Sequence, residues 1–105
     1  MIYQFVITPL FIQQENILHR LAPRTDRLAC LVLEWLLHNY GDVIDLNIQN
    51  DWGESPLMVA LEACNLKTAT NLLQSGTDLF LHNKFRETAL HIASRKVRDS
   101  LHLDI

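Results

Sequence analysis

Residues 53–60 read GESPLMVA, and the same pattern returns 33 positions later as RETALHIA, residues 86–93. Between the two stretches Glu aligns with Glu, Ser with Thr, Leu with Leu, Val with Ile and Ala with Ala. The match extends upstream, where residues 50–52 (NDW) align with residues 83–85 (NKF). A period of this size indicates a repeat protein, in which each supersecondary unit stacks on the next.

Residues 50–65 predict a turn followed by a short helix. Gly53 suits a turn that requires positive φ. Ser55 is a preferred N-cap residue, and Pro56 follows at the preferred first helical position. The helix is expected to continue to about Ala63, after which residues 64–65 turn the chain.

A second, antiparallel helix is predicted from about residue 67 to residue 75, with Gly76 ending it. We expect Ala69, Leu72 and Leu73 to face inward from this helix. A turn plus two short helices is therefore the repeating unit.

The third unit is predicted by moving the pattern of the second unit along the chain by one repeat period. Thr88 repeats the cap, residues 90–96 repeat the first helix, and residues 101–105 are expected to begin another second helix. Leu57 and Leu90 are expected to fill the layer between units, together with the paired leucines 72 and 73.

The first unit is predicted from its own pattern. Asn16 caps a helix that ends before Pro23, and Thr25 or Asp26 caps a second helix over residues 27–39. Gly41 stands where it would terminate that helix. The apolar stripe of the second helix is formed by Leu28, Leu31, Val32, Trp35 and Leu36. Further apolar positions widen it, so that two sides of the helix should be covered: Ala29, Cys30, Leu33 and Leu37.

Composition places the chain among small soluble globular domains. Its 105 residues are 49% apolar and 20% charged, which suits a single domain. The net charge of -3 gives no electrostatic footprint for nucleic acid or an anionic membrane. The apolar residues 1–12 are too few to span a bilayer and lack the basic start of a signal peptide. We therefore expect a cytoplasmic location, with the nucleus as a second one.

The sequence carries no pattern for metal, cofactor or catalytic chemistry. Five histidines and two cysteines lack the clustered spacing that zinc sites use. No glycine-rich phosphate loop or Gly-x-Ser-x-Gly elbow occurs, and Ser55 is explained as a helix cap. We predict no enzyme, no cofactor and no metal site. Cys30 and Cys64 are expected to be buried free thiols, with a disulfide between them as the alternative.

These units resemble ankyrin repeats, whose signature is a turn glycine, Thr-Pro-Leu-His-x-Ala and a later Leu-Leu-x-x-Gly. The second unit offers SPLMVA (55–60) and LLQSG (72–76), and the third offers TALHIA (88–93). The more divergent first unit has NILH at residues 16–19. The resemblance implies an all-α ankyrin-repeat solenoid of about two and a half to three helix-turn-helix units. Residues 14–105 would form it, in units of approximately 14–49, 50–82 and 83–105.

Three positions depart from the repeat signature. Met58 replaces the usual His, which would hydrogen-bond between neighbouring turns. Arg86 replaces the turn glycine and predicts either strain or another geometry. Ala89 replaces Pro, with some loss of preorganisation. Before the solenoid, residues 1–13 are expected to form an extended lead-in that lays Phe5, Ile7 and Phe11 over the first helix pair. They are alternatively the remnant of an upstream repeat.

The family resemblance implies a non-catalytic module that binds a protein partner through its turn tips and concave helical face. Trp52 and Phe85 occupy matching tips, where they either anchor a partner or fold back over their own helices. The candidate contact residues are Asp51, Trp52, Glu54, Met58, Glu62, Lys84, Phe85, Glu87, His91 and Arg95.

Two narrower hypotheses accompany this one. Residues 46–50 (LNIQN) are weakly similar to the repeats of NF-kappa-B inhibitors, which implies regulation of a transcription factor. Alternatively, the chain is a fragment of a longer ankyrin array, with a mainly structural scaffold role and further repeats as its contacts.

Overall fold

The computed structural model describes residues 11–12 and 15–101, with side chains from residue 17 onward. A two-stranded antiparallel hairpin pairs β1 (Phe11–Ile12) with β2 (Glu15–Asn16), with Phe11 opposite Asn16. Five helices follow within this part of the chain: α1 (Ile17–Leu21), α2 (Arg27–Tyr40), α3 (Pro56–Glu62), α4 (Leu66–Gln74) and α5 (Ala89–Ser100). The predicted placement of Phe5, Ile7 and Phe11 lies outside the described side chains.

The helices pair within units and stack between them. α1 contacts α2, and α3 contacts α4, which gives the two predicted helix pairs. Between units, α3 contacts both α1 and α5, while α4 contacts α2. This arrangement confirms the prediction of an all-α repeat solenoid, because each helix pair buries its apolar faces against its neighbours.

One apolar core runs through the stacked helices. Leu18, Leu33, Leu57, Ala60 and Leu72 lie at its centre and are almost inaccessible to solvent. The alanine has no side chain beyond Cβ, so α3 can approach its neighbours closely at this position. The expected burial of Leu57 and Leu72 is confirmed.

The predicted burial of α2 is wrong for most of the apolar stripe and right for most of the positions that were expected to widen it. Leu28, Leu31, Val32 and Trp35 are exposed, and only Leu36 of that stripe is buried. The buried side is formed by Leu36 together with three of the four widening positions, Ala29, Cys30 and Leu33. Both sides of this helix are apolar, so helical periodicity could not choose between them. Packing against α1 and α4 made the choice, with the small Ala29 and Cys30 on the buried side.

Two leucines expected in the layer between units are also exposed. Leu73 is 47% exposed and Leu90 is 75% exposed. Leu90 aligns with Leu57, which is 1% exposed. The two residues share a repeat position, but α5 packs on the far side of α3 and no described helix packs on the far side of α5.

The third unit departs from the pattern of the second because α5 does not stop where α3 does. In the second unit Cys64 adopts φ +57°, and the Asn65 side chain donates to the Ala22 and Arg24 carbonyls at 3.0 and 2.7 Å. The aligned residues are Val97 and Arg98, and a β-branched residue strongly disfavours positive φ. The helix therefore continues to Ser100, and Leu101 is its C-cap. The rest of the second helix predicted over residues 101–105 lies outside the described residues.

Most helix ends follow their predicted caps. Asp26 and Ser55 accept hydrogen bonds from the backbone N–H groups of Ala29 and Met58. Gly41 does follow α2, but at φ −59° it is not the left-handed glycine expected there.

The two cysteines differ from each other. Cys30 is a buried free thiol, as expected. Cys64 is free but exposed, because it lies in the turn between α3 and α4 instead of within a helix.

Candidate functional site

The two turn tips are built in the same way around an asparagine. Asn50 Oδ1 accepts from the backbone N–H groups of Trp52 and Glu54, at 3.0 and 2.9 Å. Its Nδ2 donates to Glu54 Oε1 at 3.1 Å. Asn83 makes the same three bonds in the next unit, with Phe85 N, Glu87 N and Glu87 Oε1 at 2.8, 2.9 and 3.0 Å. Each asparagine side chain makes hydrogen bonds that mimic a backbone turn, and it holds the backbone of the aromatic residue two positions later.

Each tip also requires one residue with positive φ. Gly53 adopts φ +75°, and Arg86 adopts φ +62° at the matching position. Of the two outcomes predicted for Arg86, the structure shows the strained one, since the tip keeps the geometry of a glycine turn.

The tips contact each other through their backbones. Lys84 N donates to Trp52 O at 2.9 Å. The Gln49 Nε2 group donates to Gly53 O at 2.8 Å and to His82 O at 2.7 Å. A Cβ on Gly53 would lie 2.9 Å from the Asn83 Cα. Glycine is therefore required at this tip for close approach as well as for φ.

An open cleft of about 460 Å³ lies beside the two tips. Trp52 is 58% exposed and Phe85 is 70% exposed, so neither folds back over its own helix pair. The cleft is lined by Trp52, Glu54, Glu62, Asn83, Phe85, Glu87 and Arg95. Six of these seven residues are among the candidates that the sequence indicated.

Arg95 organises the charges in this cleft. Its Nη2 donates to Glu62 Oε1 at 2.5 Å, and its Nε donates to Glu87 Oε2 at 3.1 Å. Lys96 Nζ lies 3.3 Å from Glu62 Oε2. The second and third units are thus joined by a partly buried ion-pair network as well as by apolar packing.

The network shifts the pKa values of its members. The hydrogen bond from Arg95 lowers the pKa of Glu62 below its ordinary 4.5, against the opposing effect of partial burial. Hydrogen bonds from Asn83 and then Arg95 lower the pKa of Glu87. The same carboxylates raise the pKa of Arg95. All three groups are therefore charged across the neutral range.

Met58 is a correction to the predicted contact set. Its side chain is 1% exposed, so it belongs to the core and not to the contact surface. The replacement of His by Met at this position removes a hydrogen bond between units. In the first unit His19 Nε2 donates to the Glu54 carbonyl at 2.7 Å and so joins two units. Met58 aligns with His19 and cannot make that bond, and the Arg95 ion pairs join the next two units instead.

The remaining candidates lie around the cleft. Asp51 and Lys84 are exposed on the tips, and the Lys84 ammonium lies over the Trp52 ring at 5.2 Å from its centroid. His91 is exposed but locally engaged, since its Nδ1 lies 3.1 Å from Thr88 N and 2.8 Å from Thr88 Oγ1. Sequence reasoning missed Asn83, although its position one repeat period after Asn50 was the available signal.

Between residues 15 and 101 no group of three or more His, Cys, Asp or Glu side chains is arranged to hold a metal ion. No helix in the same part of the chain combines the length and apolar character needed to cross a bilayer.

Helix pairs that recur at a fixed period and stack through asparagine-built tips define a helical repeat solenoid. The family model for ankyrin repeats, in three copies, matches residues 18–104, and the chain belongs to the ankyrin-repeat family. Ankyrin repeats are in general protein–protein interaction modules and are generally not enzymes.

Two similar proteins place this family membership in context. An ankyrin repeat protein of Rickettsia bellii is 37% identical over 51 residues, which cover 49% of this chain and 30% of that protein. A chain in the structure of a predatory endopeptidase from Bdellovibrio bacteriovorus, in complex with an immunity protein, superposes with a TM-score of 0.60 and 32% identity. That match covers 81% of this chain and 44% of the other. The chain thus spans less than half the length of either protein.

Proposed function

We propose that the chain binds a protein partner through the two turn tips and the cleft beside them. The observation that carries this proposal is the exposure of Trp52 and Phe85 at matching positions of successive units. A connector needs no aromatic residue at its tip, and exposed aromatic residues bring an energetic cost in water that a partner would remove.

The tips are well suited to contribute binding free energy. Aromatic side chains bury about 150–250 Å² each, and they have few rotatable bonds to immobilise. The Asn50 and Asn83 bonds hold the backbone on which they stand, so little ordering remains for the moment of binding. The contact set we propose is Asp51, Trp52, Glu54, Glu62, Lys84, Phe85, Glu87, His91 and Arg95.

Capture from cell extract tests this proposal. The immobilised chain should retain a set of proteins that the Trp52→Ser/Phe85→Ser variant loses. A matched control, Leu28→Ser/Trp35→Ser, removes a tryptophan and a second large apolar side chain from exposed positions of α2 outside the cleft and should retain the set. Both variants should keep their thermal midpoint, because exposed side chains contribute little to stability. Equal capture by wild type and tip variant would contradict the proposal.

Regulation of a transcription factor is a narrower form of the same proposal. It rests on residues 46–50, whose polar members have structural roles: Asn47 Oδ1 accepts from Asp78 N at 2.7 Å, and Gln49 bridges the two tips. Because these bonds account for the polar residues without any partner, the stretch adds no partner-specific information. Identification of the captured proteins decides this point.

A scaffold role within a longer array is the second candidate, and a separate observation favours it. The side of α4 and α5 opposite the first unit has two adjoining apolar grooves, of about 370 and 320 Å³. Their exposed large apolar members are Leu66, Leu73, Leu79, Phe80, Leu90, Val97 and Leu101. Fusion of an additional ankyrin unit after residue 105 should raise the thermal midpoint if this face stacks on further repeats. An unchanged midpoint would count against the scaffold role and leave tip binding untouched.

A further inference from the structure

The cleft beside the tips combines aromatic walls with an excess of negative charge. Three carboxylates line it, from Glu54, Glu62 and Glu87, against the single guanidinium of Arg95. Trp52 and Phe85 supply the exposed aromatic surface. Aromatic faces attract cations through their quadrupole, and carboxylates attract them through charge, so both components favour the same kind of ligand.

The three carboxylates are not equivalent. Glu62 has Arg95 and Lys96 as cationic partners, and Glu87 shares Arg95 and accepts from Asn83. Glu54 differs, because its carboxylate accepts only from the neutral Asn50 amide at 3.1 Å. No Lys, Arg or His among residues 17–101 forms an ion pair with it. A half-buried carboxylate without a counter-charge is therefore present at the edge of an aromatic cleft.

Trp52 already makes a cation–π contact within its own tip. Lys84 Nζ lies over the Trp52 ring, 5.2 Å from the centroid. Lys84 itself does not line the cleft, so the cleft side of the tip is left to an incoming group. The Lys84 ammonium thus contacts the Trp52 ring in the way that a cation of the partner would, and the cleft itself stays open.

We infer that the cleft receives a basic side chain from the partner, held between the aromatic tips and the Glu54 carboxylate. Arginine fits this description best, because its planar guanidinium can stack on an aromatic ring while it donates to a carboxylate. The inference rests on the proposed function and specifies the chemistry of the partner: a segment that presents an arginine or lysine.

Selection from a library of random linear peptides tests this inference. Peptides are selected on the wild-type chain, and those that also bind Trp52→Ser/Phe85→Ser are discarded. The remaining tip-dependent peptides should be enriched in Arg or Lys at one position. Synthetic versions in which that residue is citrulline or acetyl-lysine keep the shape without the charge. They should bind at least about tenfold more weakly, as the loss of a partly desolvated charge pair predicts.

Glu54→Gln provides the matching change on this chain. The amide oxygen can still accept from Asn50, so the variant removes the charge and keeps the tip. We expect affinity for the basic peptides to fall about threefold to thirtyfold. Asp42→Asn makes the same charge change in the exposed turn after α2, and it should alter affinity less than about twofold.

The outcomes separate the inference from the function it rests on. Tip-dependent peptides without a basic residue, or binding unaffected by both citrulline and Glu54→Gln, would overturn the inference and leave tip binding intact. A selection that yields no tip-dependent peptide would also overturn it, because a linear segment is the stated ligand. Failure of the proposed function would instead appear as equal capture of extract proteins by wild type and tip variant.

Discussion

The second and third units share one sequence pattern but occupy different environments. α3 lies between α1 and α5, whereas α5 is covered by α3 on one side and has apolar grooves on the other. Leu57 and Leu90 illustrate the difference, with 1% and 75% of each side chain exposed. Repeat position therefore specifies the tip turn and the start of the helix in both units, while burial depends on the neighbour that each helix has.

The largest expected contrast lies between these two leucines. Leu57→Ala should lower the free energy of unfolding by about 3 kcal/mol, because it leaves a cavity in the core. Leu90→Ala should change it by less than about 0.5 kcal/mol, because that side chain is already in water. Urea unfolding followed by circular dichroism measures both. A cost at Leu90 close to that at Leu57 would mean that the far side of α5 is covered in solution.

The two tips should respond in opposite directions to exchange of their positive-φ residues. Gly53→Ala should destabilise by about 2–3 kcal/mol, because the new Cβ meets the Asn83 backbone in a conformation that alanine disfavours. Arg86→Gly should stabilise by about 1 kcal/mol, because it relieves the strain at φ +62°. Chemical unfolding of both variants gives the two values. A destabilised Arg86→Gly would show that the arginine side chain contributes more than its backbone costs.

The ion pairs that join the two units should make a smaller, pH-dependent contribution to the free energy of unfolding. Glu62→Gln should lower the free energy of unfolding by about 1 kcal/mol at neutral pH. The pKa of Glu62 is lowered in the folded chain, so this contribution is complete above the unfolded value near 4.5 and is lost as the pH falls below it. Wild type and variant should thus converge in stability in acid. A difference that persists in acid below the lowered folded-state pKa, where Glu62 is protonated in the folded chain, would assign the effect to packing and not to charge.

The tips provide the smallest expected effect on stability. Trp52→Ser and Phe85→Ser should each change the thermal midpoint by less than about 2 °C, because both side chains are exposed. Differential scanning fluorimetry of the single variants measures this. A large loss at either position would mean that the aromatic residue packs onto its own unit, and it would remove the basis for an anchor role.

Much of the repeat could be predicted because it depends on local chemistry. The turn glycine, the serine cap and the proline at the first helical position act within a few residues, and Gly53, Ser55 and Pro56 all behave as predicted. The wrong predictions concern which side of a helix is buried and where a helix ends. The buried side of α2, the exposure of Leu73 and Leu90, and the length of α5 depend on which helices lie nearby and on residues that replace the turn at Val97 and Arg98.

Part of the candidate site could also be predicted from the repeat pattern. Alignment of the tips identified Trp52 and Phe85, and their environment could be learned only from the structure. The ion pairs of Arg95 join residues that are 8 and 33 positions apart, and no local pattern indicates such a contact. Met58 shows the converse, since a residue that was predicted to contact a partner is buried in this chain.

The period, the helix starts, the tip turns and the all-α repeat class can all be predicted from the sequence, because each depends on backbone preferences and hydrogen bonds within one unit. The burial of individual apolar residues, the pairing of carboxylates and the position of the cleft are properties of the folded chain. Those properties arise from distances between units, and side chains far apart in the chain must come together before burial or charge pairing can exist.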